Sequence, residues 1–232
     1  MKSKFYSTNS WGSDVTWSIS HFYIEDLRSY IDEIESWIKH EIFSLDRRYK
    51  DLEEKTYGKV AESMQELFAE QRFQIDEIER FLSYGALIVI FATFESLLLE
   101  ATTFVKNIEH IACKSTGKKK SLCHSFIEEA KEFFKNCGIN FPSNTPDWQF
   151  IKDFQRVRNC VAHANGRIDD SKDSKKLYSI IKKLNGLDKN ELGYITIQFV
   201  LLRKLIDAIE KVLEKIWQEI AQKEAQCKHN TT

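Results

Sequence analysis

The stretch DWQFIKDFQRVRNCVAHANG, residues 147–166, sets the fold class. Placed around a helix at about 100° per residue, Ile151, Phe154, Val157 and Val161 fall on one side. Apolar residues at this spacing predict an α-helix with one buried face. Lys152, Arg156, Asn159 and His163 form a continuous polar stripe on the opposite side. Arg158 stands at the border, and its long side chain can reach round to that stripe. Cys160 and Ala162 keep the flanks small, and Asn165-Gly166 is a helix-stop pair. Just upstream, NFPSNTPDW (140–148) is turn chemistry, with Asp147 placed to cap the helix.

Working outward, ALIVIFATFESLLLE (86–100) is almost wholly apolar and predicts the most buried helix. It belongs to a helical stretch over 59–107, with Ser83-Tyr84-Gly85 as a candidate break. Before it, Leu27, Ile31, Ile34, Ile38 and Ile42 make one apolar stripe in a helix starting near Ser18, after an irregular segment 1–17. Tyr57-Gly58 is a break between these two helices. Residues 111–121 read as a basic loop, 122–136 as a short helix, 167–176 as a charged loop and 176–184 as a weak helix. A linker from Asn185-Gly186 to Gly193 precedes a last helix over 194–223. Trp17, Trp37 and Trp217 lie on or beside apolar stripes and are expected in the core. There is no strand pattern and no internal repeat. The expectation is an all-α bundle of helices: a long N-terminal helical extension over 1–80, a bundle over 81–224 and a disordered tail over 225–232.

The totals agree with a packed helical protein. The chain has 232 residues, 42% of them hydrophobic, which permits a sizeable core, and two prolines leave helices unpunctuated. Thirty-four basic residues against 35 acidic ones give a net charge of −1, so there is no bulk attraction to nucleic acid and any such contact needs a local patch. Five cysteines, an odd number, argue for reduced thiols rather than a disulfide framework. The N-terminus has no signal-peptide core, and the longest apolar run is too short to span a bilayer and contains Glu95. A soluble cytoplasmic protein without membrane contact is expected.

The chemistry open to the polar stripe is narrow. Histidine moves a proton near neutral pH. Arginine forks onto a phosphate and stabilises charge on its oxygens. Asparagine orients an imidazole or donates to an oxygen. Together they suit phosphodiester cleavage without metal or cofactor, with an RNA 2′-hydroxyl as internal nucleophile. The bland alternative is an exposed histidine near a helix end, favoured there by the helix dipole.

Residues 147–166 resemble the signature helix of the HEPN superfamily, whose motif is an arginine, a polar residue and a histidine after four to six intervening positions. Arg158, Asn159 and His163 match the four-residue form, and Trp148, Ile151, Phe154, Val157 and Gly166 match its flanks. The resemblance extends over about residues 80–220. It implies a helical bundle that dimerises through the motif helix, with a composite RNase site between two copies. It implies an endoribonuclease, commonly a toxin of a toxin–antitoxin or phage-defence system, and hence RNA as substrate and an antitoxin or defence protein as partner. His163 would be the general acid or base, Arg158 would hold the scissile phosphate and Asn159 would support the pair. Glu95 would take the acidic position of the family's second core helix. Arg156 is a rival phosphate ligand, set behind Arg158 because Asn159 follows the latter. Members paired with nucleotidyltransferase antitoxins carry a tyrosine two positions after the histidine; here it is Asn165, so silencing by modification is not implied. The alternative is a non-catalytic module of this fold that binds a protein or nucleic acid.

Other candidates carry less. Lys118, Lys119 and Lys120, with Lys152 and Arg156, are candidate RNA contacts, although a lysine run is ordinarily a solvated loop. STGKKKS lacks the upstream glycine of a phosphate loop, Ala112 standing there. His110, Cys113, Cys123 and His124 have neither the order nor the spacing of a zinc finger.

Overall fold

A computed structural model describes residues 12–54, 59–108 and 126–229. Six helices occur among the described residues: α1 (Ser13–Glu53), α2 (Lys59–Asn107), α3 (Phe126–Asn136), α4 (Pro146–Ala164), α5 (Ser174–Lys183) and α6 (Phe199–His229). The protein is all-α, as expected. Helix α1 starts before Ser18, because Thr16 donates to the Gly12 carbonyl through both its amide (3.2 Å) and its hydroxyl (3.3 Å). Helix α6 continues to His229, into the stretch read from sequence as a tail.

Two expectations about the run of elements fail. Ser83-Tyr84-Gly85 does not interrupt α2. The Ser83 hydroxyl donates back to the Arg80 carbonyl at 2.8 Å, a bond made within the helix, and the buried Tyr84 ring anchors the turn. As one continuous helix, α2 is long and apolar enough to cross a membrane, where the apolar run alone was expected to be too short. Half of its most apolar window is buried inside the protein. The second failure is the linker. It holds an antiparallel hairpin of β1 (Leu187–Lys189) and β2 (Ile195–Ile197), in the register Leu187↔Ile197 and Lys189↔Ile195. Asn190 builds its turn: the side-chain oxygen accepts from the amides of Leu192 (3.1 Å) and Tyr194 (2.9 Å), and Gly193 takes a positive φ of 84°.

The chain divides into two compact units. One holds the described residues of Met1–Asp26, Ile90–Gln155 and Leu205–Thr232; the other holds Leu27–Val89 and Arg156–Lys204. In the first, Phe91, Phe94 and Leu98, Ile127 and Phe134, Ile151 and Phe154, and Leu205, Leu213 and Ile216 are buried. Phe104 meets Trp217 edge-on at 5.3 Å, and Lys152 of α4 is bound to Glu128 of α3 at 2.6 Å. In the second, Leu27, Ile31 and Ile38 are buried as their spacing predicts. Arg203 of α6 pairs with Asp32 at 2.7 Å and with Glu35, both on α1. Trp217 lies in the core as expected, whereas Trp37 is 48% exposed. Cys137 is disulfide-bonded, against the expectation of reduced thiols: an odd count rules out complete pairing but not a single bridge.

Candidate functional site

Helix α4 carries the motif, and its start follows from local chemistry. The Thr145 hydroxyl, not Asp147, caps it by accepting from the Trp148 amide at 3.2 Å. Pro146 occupies the first helical position, where a missing N–H costs nothing, and Asp147 adds negative charge to the first turn. Ile151, Phe154, Val157 and Val161 are all buried, so the polar stripe must face outward. Arg156, Arg158 and Asn159 are partly exposed and His163 is exposed.

Within the stripe, Arg158 Nη1 donates to Asn159 Oδ1 at 3.2 Å. That bond uses the amide oxygen as acceptor, so the NH2 is the part of Asn159 left to donate, and it holds the guanidinium beside Asn159. His163 lies one turn further along the same face, and none of the described residues hydrogen-bonds its ring. Lys152 is engaged elsewhere: its ammonium donates to Glu128 and, at 2.7 Å, to Gln155 Oε1. Glu95 is partly buried on α2 and falls, with Lys152, in one unit; Arg156, Arg158, Asn159 and His163 fall in the other. Lys118, Lys119, Lys120, His110, Cys113, Cys123 and His124 lie outside the described residues.

The end of α4 is held more tightly than its sequence suggests. Asn165 and Gly166 adopt φ of 49° and 79°, and the Gly166 amide reaches back to the Cys160 carbonyl at 3.1 Å. The chain then runs beside β2: the Ile195 amide donates to the Gly166 carbonyl (2.9 Å) and the Ile168 amide to the Gly193 carbonyl (3.1 Å). The Cys160 thiol donates to the Arg167 carbonyl at 3.5 Å, and burial pushes its pKa up.

Tyr84 closes this corner. Its hydroxyl donates to the Ile195 carbonyl at 2.6 Å. A Cβ at Gly166 would lie 2.0 Å from that hydroxyl oxygen, so only glycine fits. Burial raises the Tyr84 phenol to about 12, which keeps it a neutral donor. The Arg80 guanidinium packs over the rings of Tyr84 (5.3 Å), Phe81 (4.3 Å) and Tyr194 (4.5 Å), and Glu77 anchors it at 2.5 Å. Sequence reading missed Tyr84 and Arg80. The visible signal was an arginine and a tyrosine one turn apart, where the charged half of α2 gives way to its apolar half.

Elsewhere, His21, Glu25 and Glu210 bring metal-ligand atoms within 4.8 Å of one another. His21 and Glu25 are exposed, and His21 Nδ1 already meets Glu210 at 3.0 Å, which an ion pair explains without a metal.

The α4 stripe therefore offers a guanidinium bound to an amide and an exposed imidazole on one helix face. This set can grip a phosphate and move a proton beside it. No family model matches this chain, and neither a curated protein nor a solved structure matches it.

Proposed function

We propose that this chain is an endoribonuclease of HEPN type, a cytoplasmic toxin or phage-defence effector that cuts RNA at a composite site between two copies. The reading is carried by the Arg158–Asn159 hydrogen bond beside the exposed imidazole of His163. Arg158 grips the scissile phosphate, and Asn159 donates to an oxygen or orients the imidazole. His163 takes the 2′-hydroxyl proton or returns one to the leaving 5′-oxygen; the second copy supplies the other proton carrier. Attack by the 2′-oxygen forms a 2′,3′-cyclic phosphate and releases a 5′-hydroxyl, with no water consumed. RNA is the substrate because DNA has no such nucleophile. A toxic activity of this kind calls for an antitoxin or defence partner.

The test is incubation of purified protein with end-labelled cellular and phage RNA in the presence of EDTA. Cleavage leaving cyclic-phosphate ends, lost in His163→Ala, is the expected result. General acid–base catalysis contributes roughly 10²–10⁴-fold, so the loss should be plain on a gel. Wild-type protein that binds RNA or a partner without cutting any RNA would assign α4 to a non-catalytic binding module.

A further inference from the structure

Away from the α4 stripe, the outer side of α2 is apolar where a surface helix is ordinarily polar. From Phe81 to Phe94 the sequence FLSYGALIVIFATF contains no charge. Ile78, Phe81, Gly85 and Ile88 recur at intervals of three, four and three, the seam spacing by which one helix receives another. All four are exposed, Phe81 by 53%, and exposed Val89 widens the seam. In the same unit α1 runs antiparallel beside α2: the Tyr49 and Phe68 rings meet edge-on at 4.7 Å, and Asp46 faces Arg72 at 3.8 Å. That register brings Trp37 level with Phe81, and Tyr30 level with Ile88. Arg203 of α6 holds Asp32 and Glu35 of α1, while Arg80 of α2 packs on Tyr194 of the hairpin, which leads directly into α6. Both helices are therefore covered from one side. Their exposed flanks, Tyr30 and Trp37 on α1 and the seam on α2, share the other. At about 150–250 Å² per aromatic side chain, the partly exposed Tyr30, Trp37 and Phe81 leave about 300 Å² open. Ile78, Ile88 and Val89 enlarge this to the scale of an interaction surface.

Gly85 adds a second, independent observation. It lies inside α2, which passes through it unbroken, and nothing comes within 4 Å of the position a Cβ would take. A glycine inside a helix weakens it relative to alanine, and here no neighbour within the chain uses the space. The missing side chain instead leaves a hole in the middle of the seam, between Phe81 and Ile88. Such a hole receives a large side chain from an incoming helix.

The flank of α1 selects the kind of helix. Tyr30, Glu33, Trp37 and Glu41 fall on one face, and no lysine or arginine shares that face before Arg48. Lys39 lies on the opposite flank, tied to Glu35 at 2.9 Å. A second copy of this chain would set Glu33 and Glu41 against the same acids, and an anionic membrane would be repelled in the same way. We propose that the α1–α2 face docks an amphipathic helix of a partner protein, one with large apolar residues at heptad spacing and lysine or arginine beside them. An apolar side chain of that helix enters over Gly85, and its basic residues pair with Glu33 and Glu41.

The test is fluorescence anisotropy of a labelled helical peptide of about three heptads, with leucine along its seam and lysine beside it, titrated with the full chain. It should bind saturably, and more weakly as salt is added. The same peptide with glutamate for lysine should bind about tenfold or more weakly. Gly85→Gln should weaken the lysine peptide about tenfold while melting at the wild-type temperature or above, because glutamine favours a helix over glycine and meets no neighbour. Loss of binding is then not loss of fold. Glu33→Lys combined with Glu41→Lys should reverse the preference between the two peptides. His163→Ala should bind the lysine peptide normally, whether or not the chain cleaves RNA. No saturable binding, equal affinity for the two peptides, or undiminished binding by Gly85→Gln overturns the proposal. So does a lower mass of Gly85→Gln in light scattering, which would assign the face to a second copy. Attachment to phosphatidylcholine vesicles where the peptide fails to bind overturns it too, and would make the face a membrane surface.

Discussion

Position 166 has no room for a methyl group. Gly166 has a φ of 79°, and the Tyr84 hydroxyl would sit 2.0 Å from any Cβ built there. Gly166→Ala therefore combines backbone strain with a clash against a buried ring and should cost about 3 kcal/mol in chemical denaturation. Tyr84→Phe removes the hydroxyl but leaves ring carbons within 2.6 Å of that Cβ, so the double variant should recover little. A neutral Gly166→Ala would show that the corner relaxes freely and does not fix the turn after His163. The two arginines separate at the same scale. Arg158, whose guanidinium is bound to Asn159, should lose RNA cleavage when changed to alanine, with a stability change within about 0.5 kcal/mol. Arg156→Ala should have the smaller effect on cleavage; the reverse order in a gel assay would move the phosphate contact to Arg156.

At the scale of elements, α4 was legible because its signals are local. The buried face, the outward stripe and the Asn165-Gly166 stop can all be read within one helix. Even there the cap moved from Asp147 to Thr145: the helix starts at Pro146, which puts Thr145 just before it and Asp147 already inside its first turn. Thr145→Ala should cost about 1 kcal/mol in thermal melts, and Asp147→Ala less, since Asp147 acts only through the helix dipole. The hairpin was not legible: its strands have three residues each, too few for alternation to stand out from the helix that follows. Nor was Tyr84, whose partners at Gly166 and Ile195 are distant in sequence. Tyr84-Gly85 was read as a break because glycine usually punctuates, yet Gly85 is exposed and the helix passes through it. The link between α1 and α6 through Arg203 carries a pH dependence. Burial pushes the Glu35 pKa up, but hydrogen bonds from Lys39 and Arg203 and their charge outweigh it, and the net shift is downward. A lowered folded-state pKa means stability that is present above the ordinary carboxylate range and lost as pH falls through the lower value. Arg203→Ala should flatten that acid-side loss in melts across pH, and the effect should stay below about 1 kcal/mol because the pair is partly solvated.

For the whole molecule, the open question is what covers the α4 stripe. One helix face supplies one imidazole and the Arg158–Asn159 pair, and neither surrounds a phosphodiester. In-line cleavage needs a proton carrier on each side of the phosphorus, and in the proposed composite site a second His163 provides the other. A two-fold pairing of α4 with its copy is self-complementary only if like charges are kept apart, and the stripe meets that condition: Arg156 and Arg158 lie toward the middle of the helix and His163 toward its end. An antiparallel approach near His163 would then bring the two imidazoles together while separating the guanidinium pairs. Light scattering should accordingly give twice the chain mass at micromolar concentration. Ala162 is exposed beside His163, so Ala162→Cys should form an intermolecular disulfide on oxidation, visible on a non-reducing gel as a dimer absent from the parent protein treated alike. A monomer by scattering, or a dimer in which residue 162 never cross-links, would place the second copy elsewhere and leave His163 without the partner that the cleavage chemistry requires.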